Sequence, residues 1–187
     1  GKCKQTHQGK MVAAFAMGTK ELYDFIDDNP SVCIMDGAYV NDPHTISQND
    51  NQVSINSTIE IDLFGQCCSE SIGHVQFSGT GGQADTAIGA QKSKNGKSII
   101  ALYSTAMVKD KATGERIETS KIVPLLKQGA AVSLSRNDID WLVTEYGAVC
   151  LRGTAMAERA KLIISVAHPD FREQLTKEAI ALGIIAE

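Results

Sequence analysis

The stretch FSGTGGQADTAIGA, residues 77–90, places three glycines within four positions, directly after a strand-like segment and ahead of a run of small residues. The residues after the glycines predict a helix from about Gln83 to Lys92, with Asp85 near its positive end. A turn this rich in glycine exposes backbone N–H groups and lets a ligand approach the main chain closely. From spacing alone, two interpretations stay open: an anion-binding turn, or a tight turn that only joins strand to helix.

Two known phosphate-binding motifs are absent from this stretch, which reduces the number of anions it could bind. A dinucleotide fingerprint G-x-G-x-x-G needs glycine at the position held by Ala84, and no G-K-[ST] of a phosphate-binding P-loop follows. An enzyme that uses a nucleotide cofactor is therefore disfavoured. A phosphate, a carboxylate and the oxyanion formed when a thioester or anhydride carbonyl is attacked remain possible ligands.

Strand-like and helix-like segments alternate on both sides of this turn. The predicted buried strands include residues 11–17, 32–35, 98–103, 130–134 and 141–145. A charged segment, residues 109–119, is predicted to be an exposed hairpin tip or loop, and Thr154 is predicted to cap a helix that runs to Ala167. This alternation predicts an α/β fold, with an open, mostly parallel sheet flanked by helices. Ligands of such sheets bind at the carboxyl ends of the strands.

Composition sets limits on function. The chain has 187 residues, 43% of them hydrophobic, and a net charge of −4 with both signs interspersed, so neither nucleic acid nor an anionic membrane is favoured as a partner. Its apolar runs are shorter than the roughly 20 residues that span a bilayer, and we expect a cytoplasmic protein. Five cysteines without C-x-x-C spacing make a metal site or a disulfide framework improbable. The first residue is glycine, which suggests a piece of a longer chain or a processed subunit.

Several further motifs, in a consistent order, carry a resemblance that covers essentially the whole chain. They are YVNDP (39–43), VSINSTIEIDLFGQ (53–66), ESIG (70–73), SGTGGQAD followed by IGA (78–90), SKIVPLL (120–126), SRNDIDWLVTEYG (135–147), LRG (151–153) and AHPDFR (167–172). With these motifs the sequence resembles the carboxyl-terminal half of the acetyl-CoA hydrolase/transferase family. The resemblance is strongest to its branch of 4-hydroxybutyrate and butyryl-CoA:acetate CoA-transferases.

This resemblance implies the transfer of coenzyme A between short-chain carboxylic acids by double displacement. A glutamate attacks the acyl-CoA thioester to form an acyl-glutamyl anhydride, which the CoA thiolate converts into a glutamyl-CoA thioester. The family's glutamate lies in a region that precedes this sequence. Residues 1–187 would therefore form the C-terminal domain of a longer two-domain enzyme, with a catalytic site that needs an N-terminal domain as partner. The resemblance also implies a homo-oligomer and no metal.

The resemblance assigns roles to a few residues of this chain. The backbone N–H groups of Gly79, Gly81 and Gly82 would support the oxyanion near the reacting carbonyl and the CoA sulfur. Asn56 and Ser104, with Gly79, match positions that contact CoA, although Asn56 could simply close a bend and Ser104 could simply end a strand. Glu145 matches an acidic position of the active-site region; alternatively, it could be part of a buried structural pair or simply bind the backbone.

Two other functions remain open at this stage. In a hydrolase of the same family, water rather than a carboxylate would resolve the glutamyl intermediate. A catalytically silent CoA-binding module would keep affinity for CoA without chemistry.

Overall fold

The structure is a computed structural model that describes residues 4–110 and 113–186. It divides the chain into two compact units. The first consists of Gly1–Ser54 with Asp85–Lys97, and the second of Ile55–Ala84 with Ser98–Glu187.

Helices and strands alternate along much of the chain. The helices are α1 (Lys20–Ile26), α2 (Gly37–Val40), α3 (Pro43–Ser47), α4 (Gln83–Lys92), α5 (Met156–Ser165) and α6 (Pro169–Ala181). The strands are β1 (Met11–Ala13), β2 (Val32–Ile34), β3 (Val53–Asn56), β4 (Glu60–Asp62), β5 (Cys67–Cys68), β6 (Ser71–Ile72), β7 (Val75–Gln76), β8 (Lys97–Ala101), β9 (Thr105–Lys109), β10 (Arg116–Ser120), β11 (Ile122–Val123), β12 (Trp141–Thr144) and β13 (Gly147–Cys150).

The first unit pairs β1 with β2 in parallel, with Met11 opposite Val32. None of residues 4–53 is fully buried in the structure. Large apolar side chains are strongly exposed instead, including Phe15 at 75% and Met17 at 84%. Parallel strands are normally covered on both faces, so this unit presents an unusual amount of apolar surface to solvent.

The second unit contains the main core, whose fully buried side chains include Ile61, Ile100, Leu142 and Ile163. Its largest sheet has the strand order β13-β12-β8-β3, and a second sheet has the order β11-β4-β5. Two hairpins, β9/β10 and β6/β7, complete the strands, and α5 packs against α6.

The α/β class predicted from the sequence is confirmed. Within residues 4–110 and 113–186, however, the strands form five small sheets, with parallel pairs in some and antiparallel pairs in others, rather than one mostly parallel sheet. β12 is parallel to β8 and antiparallel to β13. β13 is antiparallel to β12 because the connection between them is short. Only Glu145 and Tyr146 separate β12 from β13, and a two-residue link allows a hairpin but no parallel crossover.

Several boundaries also differ from the sequence expectations. Residues 130–134 do not form a strand, because their pairing is limited to an isolated bridge between Leu134 and Cys67. For the charged segment 109–119, the hairpin alternative is the one observed: β9 and β10 pair antiparallel and are mostly exposed, although β10 takes up more of the segment than a hairpin tip would. Thr154 does not cap α5, since its hydroxyl donates to the Leu151 carbonyl at 2.7 Å and Ala155 holds the cap position.

Candidate functional site

The site begins where two parallel strands end at the same edge of a sheet. β8 and β12 run in parallel, with Ala101 opposite Val143. The chain leaves β8 towards Ser104 and leaves β12 at Glu145, so these two residues lie beyond the carboxyl ends of neighbouring strands. This is the edge at which open α/β sheets bind ligands.

Ser104 and Glu145 are joined by hydrogen bonds to both carboxylate oxygens. The Ser104 backbone N–H donates to Oε2 of Glu145 at 2.9 Å and to Oε1 at 3.2 Å. The Ser104 hydroxyl donates to Oε1 at 2.7 Å. Ser104 is fully buried and Glu145 is exposed, so a buried serine holds an exposed carboxylate in place.

The charge state of Glu145 follows from these contacts. Burial of part of the side chain raises its pKa, but the hydrogen bonds from Ser104 and from its own backbone N–H, with the electrostatic effect of His168, outweigh that and lower the pKa below its ordinary value. Glu145 is therefore a carboxylate at neutral pH. It is suited to accept hydrogen bonds or to stabilise positive charge, and not to act as a general acid.

A cavity of about 330 Å³ opens at this edge. Its lining combines apolar side chains with one cation and one carboxylate: Ser57, Ala101, Leu102, Tyr103, Lys121, Val143, Thr144 and Glu145. Apolar walls with a few polar groups are typical of small-molecule sites.

The glycine turn precedes α4, as predicted, and its backbone is open. A Cβ atom built on Gly79 or Gly81 would meet no heavy atom within 4 Å, and Gly81 has a φ of +58°, which favours glycine. Within the described ranges, the backbone N–H groups of these two residues have no hydrogen-bond acceptor. Gly82, next in the turn, is half-buried. The turn can thus present free N–H donors to an anion.

One side chain links this turn to the cavity. Gln83, the first residue of α4, donates from Nε2 to the Ser57 carbonyl at 2.8 Å, and Ser57 lines the cavity. Asn56, half-buried at the end of β3, directly precedes Ser57. The structure therefore brings Ser104 and Glu145 into contact. Asn56 is next in sequence to the cavity residue Ser57, and the glycine turn is followed by Gln83, which binds Ser57.

Sequence reasoning did not identify Ser57, Gln83 or Lys121 as residues of this site. The motifs VSINS, GGQAD and SKIVPLL contain them, but nothing in the local sequence places them beside Ser104 and Glu145. The residues that pointed towards this region were Asn56 and the glycines in the first two of these motifs, with Ser104 and Glu145 elsewhere in the sequence.

In residues 4–110 and 113–186, no group of three or more His, Cys, Asp and Glu side chains is arranged to hold a metal ion. Within the same ranges, no helix has both the length and the apolar character needed to cross a membrane.

Comparison with known proteins identifies the family. Residues 18–179 match the model of the acetyl-CoA hydrolase/transferase C-terminal domain, so the chain belongs to that family. It is 51% identical over 176 residues to a succinyl-CoA:cyclohexane-1-carboxylate CoA transferase of Geobacter metallireducens, covering 94% of this chain and 38% of that protein. It is also 51% identical over 177 residues to a 4-hydroxybutyrate coenzyme A transferase of Clostridium kluyveri, covering 95% of this chain and 39% of that protein.

A solved structure shares the fold of this chain. RipA from Yersinia pestis superposes with a TM-score of 0.86 at 46% identity, covering 97% of this chain and 39% of RipA. The chain therefore spans about two fifths of the length of the relatives that it matches.

Proposed function

We propose that this chain is the C-terminal half of a CoA-transferase that moves CoA between short-chain carboxylic acids of the 4-hydroxybutyrate, butyrate or acetate class. The observation that carries the proposal is the Ser104–Glu145 pair beside a cavity at the carboxyl edge of β8 and β12. Membership of the family and the CoA-transferase activities of its relatives support it.

The reaction proceeds by two acyl transfers at one glutamate, which a preceding domain supplies. The glutamate carboxylate attacks the thioester carbonyl, and the C–S bond breaks to release CoA thiolate and leave an acyl-glutamyl anhydride. The thiolate then attacks the glutamyl carbonyl and releases the first acid as its carboxylate. The acceptor carboxylate reverses these steps on the glutamyl-CoA thioester and leaves as the new acyl-CoA.

In this chain, backbone N–H groups of the glycine turn donate hydrogen bonds that stabilise the oxyanion of each tetrahedral intermediate. Gly79, Gly81 and Gly82 are assigned this role because the turn precedes a helix and its main chain is open at Gly79 and Gly81. Coenzyme A is the proposed substrate cofactor, and Gly79 contacts it close to the sulfur.

The remaining assignments concern the groups beside the cavity. The Asn56 amide both donates to and accepts from CoA. Glu145 is the supporting carboxylate of the site. Ser104 is proposed to act on CoA through Glu145, because its hydroxyl and N–H groups both bind that carboxylate.

The missing part of the site is assigned to an N-terminal domain that carries the nucleophilic glutamate. Two observations support this partner: the chain spans about two fifths of its relatives, and the first unit exposes large apolar side chains such as Phe15 and Met17. A covering domain would remove that apolar surface from water.

The test uses the complete protein that contains this chain. With acetyl-CoA and butyrate, the proposal expects butyryl-CoA to accumulate, whereas free CoA without butyryl-CoA would favour the hydrolase and contradict the transferase. Mass spectrometry of enzyme treated with acyl-CoA should find a peptide whose mass increases by CoA minus one water. That peptide should lie outside residues 1–187, and an adduct on a residue of this chain would contradict the proposed location of the nucleophile.

A further inference from the structure

Lys121 lies at a point where two strands of different sheets meet. It separates β10 from β11, and its backbone is held on both sides. Its N–H donates to the Ser104 carbonyl at 2.8 Å, and its carbonyl accepts from the Ile61 N–H at 3.0 Å. Ile61 and the adjacent Ile122 are fully buried. The lysine side chain therefore starts from a rigid position, and Ser104 binds both Lys121 and Glu145.

The side chain of Lys121 is half-buried and lines the cavity that Glu145 also lines. Among the described residues, no carboxylate lies within 4.0 Å of its ammonium, and no acceptor is hydrogen-bonded to it. Burial lowers the pKa of Lys121, and the charge of Glu145 opposes that effect. A partly desolvated ammonium without a close counter-ion is unfavourable by itself, and an anion in the cavity would remove this penalty.

The charge balance of the cavity selects the type of anion. Lys121 is the cation among its lining residues, and Glu145 contributes a negative charge that Ser104 holds in place. These two charges cancel before an anion binds, so a bound carboxylate adds one uncompensated negative charge. A phosphate would add up to two and would be repelled more strongly by Glu145, so the carboxylate is the favoured anion beside Lys121. The apolar walls formed by Ala101, Leu102 and Val143 suit a short hydrocarbon chain behind that carboxylate.

We infer that Lys121 binds the carboxylate of the short-chain acid in this cavity, so that it positions the acid for attack on the glutamyl-CoA thioester. The inference rests on the proposed function for the identity of the acid. It adds a residue for substrate binding that the family resemblance did not single out.

The kinetic test compares variants of the complete enzyme. Lys121→Met should raise the KM for the acid by about tenfold or more, the scale of one lost charge-assisted hydrogen bond, and leave the KM for acyl-CoA within about twofold. Lys121→Arg should recover most of the affinity for the acid, because it keeps the charge. Lys97→Met is the matched control: Lys97 is exposed at the opposite end of β8, and its replacement should change neither KM.

Two kinetic outcomes would overturn the inference. An unchanged KM for the acid in Lys121→Met would remove Lys121 from acid binding. A rise confined to the KM for acyl-CoA would assign the lysine to a phosphate of CoA. Thermal unfolding of each variant checks that the fold is intact, and Lys121→Gln repeats the measurement if the methionine variant does not fold.

Calorimetric titration with butyrate separates this inference from the proposed function. If wild-type enzyme transfers no CoA but binds butyrate, and Lys121→Met binds it about tenfold more weakly, the function is wrong and the carboxylate site stands. If the enzyme transfers CoA and both proteins bind butyrate equally, the function stands and the site is wrong.

Discussion

Ser104 and Glu145 lie 41 positions apart in the sequence, yet the Ser104 N–H and hydroxyl groups together bind both carboxylate oxygens of Glu145. The parallel pairing of β8 with β12 creates this contact, because it brings the two strand ends to one edge. A buried serine thereby fixes an exposed charge at the mouth of a cavity.

The Ser104→Ala substitution should loosen Glu145. It removes the hydroxyl bond of 2.7 Å but leaves both backbone bonds. We expect a loss of about 1 kcal/mol in the free energy of unfolding, at the low end for a bond to a charged group because Glu145 is exposed to solvent. The pKa of Glu145 should rise towards its ordinary value. Urea unfolding and a carboxyl NMR titration measure the two effects.

The control for this substitution is Ser165→Ala. The Ser165 hydroxyl also donates a bond of 2.7 Å, to the Leu162 carbonyl, but it is exposed and contacts no carboxylate. It should leave the Glu145 titration unchanged. An unaltered Glu145 pKa in Ser104→Ala would mean that the backbone bonds alone hold the carboxylate.

The stability that Glu145 provides should depend on pH. Its pKa is lower in the folded protein than in the unfolded chain, so its contribution is complete above the unfolded value of about 4.3. The contribution is lost as the pH falls through the lower folded value. The difference in unfolding free energy between wild type and Glu145→Gln should therefore be constant near pH 7 and shrink below about pH 4. A difference that grows on acidification would contradict the lowered pKa.

Gly79→Val tests the glycine turn with little disturbance of the fold. Gly79 has no positive φ, and an added Cβ would meet no atom within 4 Å, so unfolding should change little. The side chain would still block close approach of a ligand to the backbone. We expect turnover of the complete enzyme to fall by about two orders of magnitude, the scale of losing one oxyanion donor.

Gly81 and Gly153 supply the comparisons for this test. Gly81→Val should reduce turnover similarly and also destabilise the protein by about 1 kcal/mol, because its φ is +58°. Gly153→Val carries the same backbone strain at a φ of +76°, in a segment outside the proposed site, and should lower stability without lowering turnover. Normal turnover in Gly79→Val would refute the role of the turn.

Gly89 in the first unit is required for close packing. A Cβ at this position would lie 2.7 Å from both Cβ and Cγ2 of Ile46. Although alanine is favoured over glycine in a helix by about 1 kcal/mol, the overlap should make Gly89→Ala destabilising by about 1–3 kcal/mol. Thermal unfolding of the single variants and of Gly89→Ala with Ile46→Ala forms a double-mutant cycle. Ile46→Ala removes the Cγ2 overlap and keeps the Cβ overlap, so the pair should recover only part of the loss, and purely additive effects would contradict a contribution from Cγ2.

Local patterns predicted several elements accurately. α4 spans Gln83–Lys92, as expected from the glycines before it and the small residues within it. The exposed hairpin expected in the charged segment 109–119 is also present, since β9 pairs antiparallel with β10. Such features depend on neighbours in the sequence, which is why they can be read without the fold.

Other predictions failed where the decisive partner is distant. Residues 130–134 are apolar enough for a strand, but a strand also needs a neighbour along its length, and here the pairing ends after a bridge at Leu134. The sheets are less parallel than expected, in part because the short link at Glu145 and Tyr146 reverses the chain between β12 and β13.

The sequence by itself determined the family, the α/β class and the strand–turn–helix unit around the glycines, because motifs and periodicity are properties of contiguous residues. Only the tertiary structure decided that Ser104 binds Glu145 and that Lys121 lines the same cavity. These residues come from three separate segments, and strand pairing across the sheets brings them together. Their chemistry therefore depends on long-range register, which no local pattern encodes.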